Sequence, residues 1–318
     1  MREFEGDRRF LGTNPPSGVA ITYWLKSAVK DVKLIVRDAS GSQVREIAGD
    51  ATKGKGEAGL NTVVWDLRVQ PLPPLRNQPP SGGPGGGGGG FGGGGVNGPL
   101  VLPGPYKVSV VTGSREVEAR TVNVSPDPEI KIADADRKTH FETAMGLHRL
   151  QATANEAYDV VATLNQQFGA IRDLLRAAKD VPGPVQARVD AFEKQLTPQR
   201  RQFGVTAGGL GGPGGPGGAG GAGGGGFPSE GGPPMVNLRT RIGQLKGGIM
   251  ASTSLPTEVQ ARMIEESRMA LSKAVGEVNA LIPAMDALYK DLEASGVHAP
   301  LPEPVKPITT QTRTGDKM

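Results

Sequence analysis

The hydrophobic period of this chain changes once, at Pro126-Asp127-Pro128, and the change restricts it to two kinds of ordered body. Upstream, apolar residues recur at every second position, the spacing of a strand with one buried face. Downstream they recur in steps of three and four, the spacing of a helix with one buried seam. One element cannot serve both patterns, because side chains alternate across a strand but repeat every 3.6 residues around a helix. The sequence therefore predicts a β region followed by an α region, with the boundary at the proline pair.

In the first region Val19, Ile21, Tyr23 and Leu25 alternate with Ala20, Thr22 and Trp24. Val32, Leu34 and Val36 repeat the pattern, and Asp38-Ala39-Ser40-Gly41 supplies turn chemistry before Val44-Arg45-Glu46-Ile47. Further strands are expected through Asn61–Leu67, through Tyr106–Val111 and, after the Thr112-Gly113-Ser114 turn, from Glu116 to Val124. Six or seven short strands with regular turns predict a small antiparallel β-sandwich over 19–125. Asn14-Pro15-Pro16 makes 1–18 an extended linker into the first strand.

The second region, 129–296, reads as a long antiparallel helical bundle. Leu147, Leu150, Ala154, Ala157, Val161, Leu164, Phe168, Ile171, Leu175 and Ala178 form one uninterrupted seam. Ile264, Ser267, Leu271, Ala274, Val278, Leu281, Met285, Leu288 and Leu292 form another, opened by the capping-box spacing of Thr257 and Gln260. Pro283 inside it predicts a kink. Asp134 and Asp136 read as N-caps of the first helix. At 1.5 Å per residue these helices are roughly 70 and 60 Å long, whereas the segments near 184–201 and 236–252 are each roughly 25 Å. Two short helices end to end nearly match one long one. The arithmetic favours three layers with an interrupted middle helix over four separate helices in an irregular bundle. The Pro- and Thr-rich tail, 297–318, is expected to be disordered.

Glycine (49) and proline (27) make up about a quarter of the 318 residues, and most of the glycine lies in two blocks near 82–98 and 208–232. Each block falls inside a domain. The first is an insert at 79–98 between strands, the second an insert at 204–235 between the short helices. Leu210, Pro213, Pro216, Ala219 and Ala222 each follow two glycines, but a few such triplets inside a bundle make a solvated loop rather than a collagen helix. Neither block joins a strand directly to a helix, so neither is a dinucleotide fingerprint. The missing arginines argue against an RNA-binding segment.

Candidate chemistry is sparse. Without cysteine there are no disulfides, thiolate metal sites or cysteine nucleophiles. Gly49-Asp50-Ala51-Thr52-Lys53-Gly54-Lys55 starts like a phosphate-binding loop, but Gly56 stands where Ser or Thr is needed and a strand follows. His140 and His148 are two helical turns apart, too far to chelate one metal, and read with His298 as surface or bundle-edge residues. Asp66, beside Trp65 and two residues before Arg68, is the most suggestive acid; its ordinary reading is a strand-end carboxylate paired with a neighbour. The net charge of +4 is spread along the chain, and the pairs Arg8-Arg9, Arg200-Arg201 and Arg239/Arg241 read as solvated helix faces and loop ends. No catalytic, cofactor-binding or metal-ligating residue is assigned. No segment is apolar for the 18 or so residues a membrane span needs, and residues 1–7 lack the apolar core of an export signal, which alone implies a cytoplasmic chain.

Asn14-Pro15-Pro16, Ile21-Thr22-Tyr23-Trp24-Leu25-Lys26, Val44-Arg45, Ala58-Gly59-Leu60-Asn61, Trp65-Asp66-Leu67-Arg68 and Pro103-Gly104-Pro105-Tyr106 together resemble the C-terminal module of large bacterial sortilin-like BNR-repeat proteins, often labelled glycosyl hydrolases or sialidase-like. Leu255-Pro256-Thr257 fits the helical tail of the same family. The resemblance implies an Ig- or FnIII-like sandwich similar to that of the flagellar hook-capping protein, an extracytoplasmic setting and a β-propeller as partner. The enzyme-like part of that family is the propeller, so no catalytic residue carries over. Three functional readings follow: a non-catalytic interaction module, part of a glycosidase or peptidase, and a weak nucleic-acid or polyanion binder. The last rests on mild basicity alone.

Overall fold

The alternating stretches form strands and the stepped stretches form helices in the computed structural model, which describes residues 17–76, 96–117, 119–178, 182–205, 237–299 and 304–309. These separate into two units. One comprises the described residues of 17–71 and 97–131; the other comprises 72–76, 96 and the described residues from 132 onward. The boundary after Lys131 lies three residues past the Pro126-Asp127-Pro128 break.

The first unit holds seven antiparallel strands in two sheets: β1 (Val19–Leu25), β2 (Val32–Arg37), β3 (Gln43–Ile47), β4 (Gly59–Trp65), β5 (Gly104–Thr112), β6 (Arg115–Glu116) and β7 (Arg120–Val124). One sheet is β1 with β4; the other has the order β3-β2-β5-β6, with β7 also on β5. The single partner expected from Glu116 to Val124 is thus two short strands. β6 pairs with Val111 and Thr112, and β7 with residues Gly104 to Val108. Inward residues of both sheets meet in one cluster: Leu34, Val36, Ile47, Tyr106 and Val108 from one, Val63 and Trp65 from the other. Trp65 and Tyr106 pack edge to face, with ring centroids 5.5 Å apart. Asp38 closes the β2–β3 turn as expected, its Oδ1 accepting from the Ser40 and Ser42 amides at 2.9 Å each.

The second unit holds four helices: α1 (Asp134–Ala177), α2 (Gly183–Phe203), α3 (Leu238–Met250) and α4 (Glu258–Ala294). Both long seams are buried as expected, apart from half-buried Leu150 and Ala178. The short seams Val185, Val189, Phe192, Leu196 and Leu238, Ile242, Ile249 join them in one core, with Leu245 at its margin. Thr257 forms the capping box with Gln260, and α4 runs unbroken through Pro283. Pro198 likewise lies inside α2. Asp134 and Asp136 are not caps. Ala133 is the N-cap, without a side-chain bond, and the two acids occupy the first turn, where the exposed amide ends favour negative charge.

The bases of the two inserts are visible, while most of 79–98 and 204–235 lies outside the described residues, as does most of the 1–18 linker. At the first base Val69 N–H donates to Pro99 O (3.0 Å) and Leu72 N–H to Val96 O (2.8 Å), a ladder that closes the loop. Its far end departs from expectation. Residues 72–76 belong with the helices, and Arg76 N–H donates to the Asp159 carboxylate of α1 at 3.1 Å. At the second base Gly204 caps α2 at φ 77°, and Asn237 caps α3 by accepting from the Thr240 amide at 2.9 Å. A Cβ built on Gly204 would stand 2.5 Å from Asn237 Nδ2, so the two helix ends abut. The tail differs from expectation as well: Ile308 is buried in the helical core rather than solvated.

Candidate functional site

The sequence candidates resolve into structural roles. Gly49–Thr52 is a single 3-10 turn, and the loop behind it returns to a strand. Gly56 is required there, because a Cβ would lie 2.1 Å from Val29 O, and Val29 N–H donates to Gly56 O at 2.8 Å. The element that follows is β4 and not a helix, so the loop lacks the helix N-terminus on which a P-loop holds its phosphate.

Asp66 ends β4. Its Oδ1 accepts from the Arg68 amide at 3.1 Å, and its Oδ2 lies 3.9 Å from Arg45. Burial pulls the Arg45 guanidinium below its usual value, an effect that Asp66 opposes. Leu67 adopts φ 57°, and the turn carries Arg68 O to 3.0 Å from Trp65 Nε1, which donates to it. The carboxylate is therefore engaged in holding a turn.

The histidines separate. His298 is exposed beside Glu293, at 3.7 Å. His140 Nε2 contacts Ile249 O at 2.9 Å. His148 is buried, contrary to the surface reading, and its Nδ1 is 3.4 Å from the Nζ of Lys246, itself only 1 % exposed. Among the described residues no three His, Asp or Glu side chains are placed to hold a metal ion.

Arg8-Arg9 lies outside the described residues, and the other two basic pairs differ in part from the solvated reading. Arg200 is buried and donates to Asn165 Oδ1 (3.0 Å) and Thr197 Oγ1 (2.8 Å), with Glu193 3.6 Å away. Arg172 donates to the same Glu193 at 2.8 Å, tying α1 to α2. Arg239 lies over the Tyr158 ring at 4.8 Å, and Arg241 pairs with Glu266 at 2.8 Å. Of Arg200, Arg201, Arg239 and Arg241, only Arg201 is exposed. Seam counting misses such residues because α2 and α3 each pack against three other helices, which widens the buried stripe beyond the two positions per heptad of a simple seam.

The arrangement left unexplained by packing is on the two-stranded sheet. β1 and β4 alternate strictly, and their outward positions form three cross-strand pairs: Ala20 with Val64, Thr22 with Thr62, and Trp24 with Leu60. The two threonine hydroxyls hydrogen-bond at 3.1 Å. Trp24 is 64 % exposed and Leu60 78 %, the largest apolar side chains of their strands directed at solvent rather than core. The signal was present in the sequence as Trp24 in an outward, polar register, but only the pairing with Leu60 turns two exposed residues into one patch.

Among the described residues no helix is long and apolar enough to cross a membrane. A shallow depression of about 540 Å³ on α2, lined by Asp190, Glu193, Lys194, Thr197, Pro198 and Arg201, is walled by one helix only. No family model, curated protein or solved structure matches the chain.

Proposed function

We propose that the chain is a non-catalytic interaction module that docks onto a protein partner through the outer face of β1 and β4. The observation that carries this reading is the in-register pair of Trp24 and Leu60, exposed by 64 % and 78 %. Fully burying a large apolar side chain contributes about 1.5–3 kcal/mol, and tryptophan is the residue type most enriched at binding hot spots. Thr22 and Thr62 continue the face with hydroxyls that offer donors and acceptors to a partner.

The finer architecture belongs to the same reading. The two sheets sharing one core are taken as an Ig- or FnIII-like sandwich. The helices are taken as a three-layer antiparallel bundle whose middle layer is α2 followed by α3, supported by the abutting ends at Gly204 and Asn237. On the family resemblance, the partner is a β-propeller, supplied by the parent protein or by a neighbouring gene product, in an extracytoplasmic setting.

The test is calorimetric titration of the purified chain with the propeller encoded beside it. Wild type is expected to bind, and W24E/L60E to lose binding at least tenfold with an unchanged melting temperature. Equal binding by both, or none by wild type, sinks the docking face. Hydrolysis of a sialoside or aryl glycoside panel by the purified chain would overturn the non-catalytic reading independently.

A further inference from the structure

The chain beyond α4 comes back onto it. In the segment 304–309, Ile308 is buried and Val305 half-buried, both against the helical core, while Pro304, Lys306, Pro307 and Thr309 are exposed. Anchors three residues apart, flanked by prolines, have the period of a polyproline II segment, which repeats every three residues and makes no internal hydrogen bonds. Pro307 also keeps Lys306 extended. Such a segment needs outside partners for its backbone, and Asn279 of α4 supplies them. Ile308 N–H donates to Asn279 Oδ1 at 2.8 Å, and Asn279 Nδ2 donates to Ile308 O at 3.0 Å. One side-chain amide thus satisfies both backbone groups of a single residue, as a neighbouring strand would in the hydrogen-bonded pair of an antiparallel ladder.

These are the parts of a peptide-recognition site: an apolar slot for a branched anchor, a second anchor position one turn earlier, and a two-bond backbone contact that holds the register. We infer that the face of α4 around Asn279 is a receptor for the segment Val305-Lys306-Pro307-Ile308, filled in cis by the chain's own tail and able to take the same segment from a second copy once the cis tail is displaced. The backbone contact reads any non-proline residue, so specificity rests on the two anchors. A short tether gives the cis tail an effective concentration in the millimolar range, so a trans segment competes poorly while the cis tail is intact.

The test uses the full chain carrying I308D, which spoils the cis anchor, and a fluorescein-labelled peptide of residues 302–310 as the probe. Anisotropy should show saturable binding to I308D, with wild type at least tenfold weaker because its site is occupied. The double variant I308D/N279L, and a peptide with the same Ile308→Asp change, should also bind at least tenfold more weakly than the I308D–native peptide pair. Equal binding by wild type and I308D, binding indifferent to N279L, or no binding by an I308D chain with native helical circular dichroism would each overturn the inference. Should I308D not fold, hydrogen exchange in wild type decides. The Ile308 amide must be protected, and N279L must expose it while the α4 amides stay protected; a freely exchanging Ile308 amide in wild type overturns the receptor.

Discussion

In the sheet unit the polar tips of the large core side chains are answered by backbone: Trp65 Nε1 by Arg68 O, Tyr106 Oη by Leu102 O, Tyr23 Oη by Lys55 O. In the helical unit buried polar side chains answer one another across helices, as Arg200 does with Asn165, and Lys246 with His148. The difference follows from geometry. A strand with one solvated face can send nearly every charged residue outward, and among the described residues no charged side chain of the seven strands is buried. A helix touching two or three neighbours has too little solvated surface for that, so some of its polar residues must be buried and must find partners. The sheet unit is accordingly held by apolar volume, the helical unit by apolar volume plus a polar register between α1 and α2.

The largest expected effect tests the first half of that contrast. W65A should cost about 3–5 kcal/mol, the range for truncating a buried large aromatic, read as loss of the sheet unit's transition in chemical denaturation. A cost below about 1 kcal/mol would mean that the Trp65–Tyr106 contact does not hold the two sheets together.

Next comes the polar register. R200A leaves Asn165 and Glu193 without a buried cation, and because Glu193 is one-third exposed the cost should be about 2 kcal/mol rather than the larger loss of a fully buried pair. R200M/N165L should recover most of it, since apolar groups of similar size can replace a buried polar contact. If R200A is as silent as a surface change, the contrast between the units fails.

The helix junction is smaller. G204A places a Cβ in the left-handed region and against Asn237, and should lower stability by about 1–2 kcal/mol in thermal denaturation. An unchanged melting temperature would show that the ends of α2 and α3 are not joined there.

Acid should act on the sheet unit most gently. The Arg37 guanidinium, then the Ser109 hydroxyl, hold the Glu116 carboxyl below its usual range, and the Ser40 hydroxyl with the Ser42, Ser40 and Gly41 amides does the same for Asp38. Both folded values are depressed, so their stabilisation is present above the ordinary carboxylate range near pH 4 and is lost as pH falls through the folded values. Melting temperature should drop as pH falls from about 5 to about 2, and less steeply in E116Q. Identical slopes would remove Glu116 from the acid response.

Much of this was legible beforehand, and what was missed has a common cause. Strand and helix positions follow from period, which is local, and so do the Asp38 turn and the Thr257 capping box. Sequence reasoning places Arg200 on a solvated face and His148 at the surface or bundle edge, and does not single out Lys246, because burial depends on how many helices touch the one they sit on. The tail was read as disordered for a related reason. Proline removes backbone donors and breaks regular structure, and nothing local announces that Asn279, 29 residues earlier, will receive Ile308.

By itself the sequence determined the two periods, the break between them, the Thr257 cap and the Asp38 turn, and which apolar residues of the long seams face inward. Each of these depends on interactions within a few residues. The tertiary structure alone decided that Trp24 and Leu60 stand side by side, that Arg200 is enclosed, that Gly204 meets Asn237, and that Ile308 finds Asn279. These pairings join residues 29 to 36 apart, so they exist only once the elements have assembled.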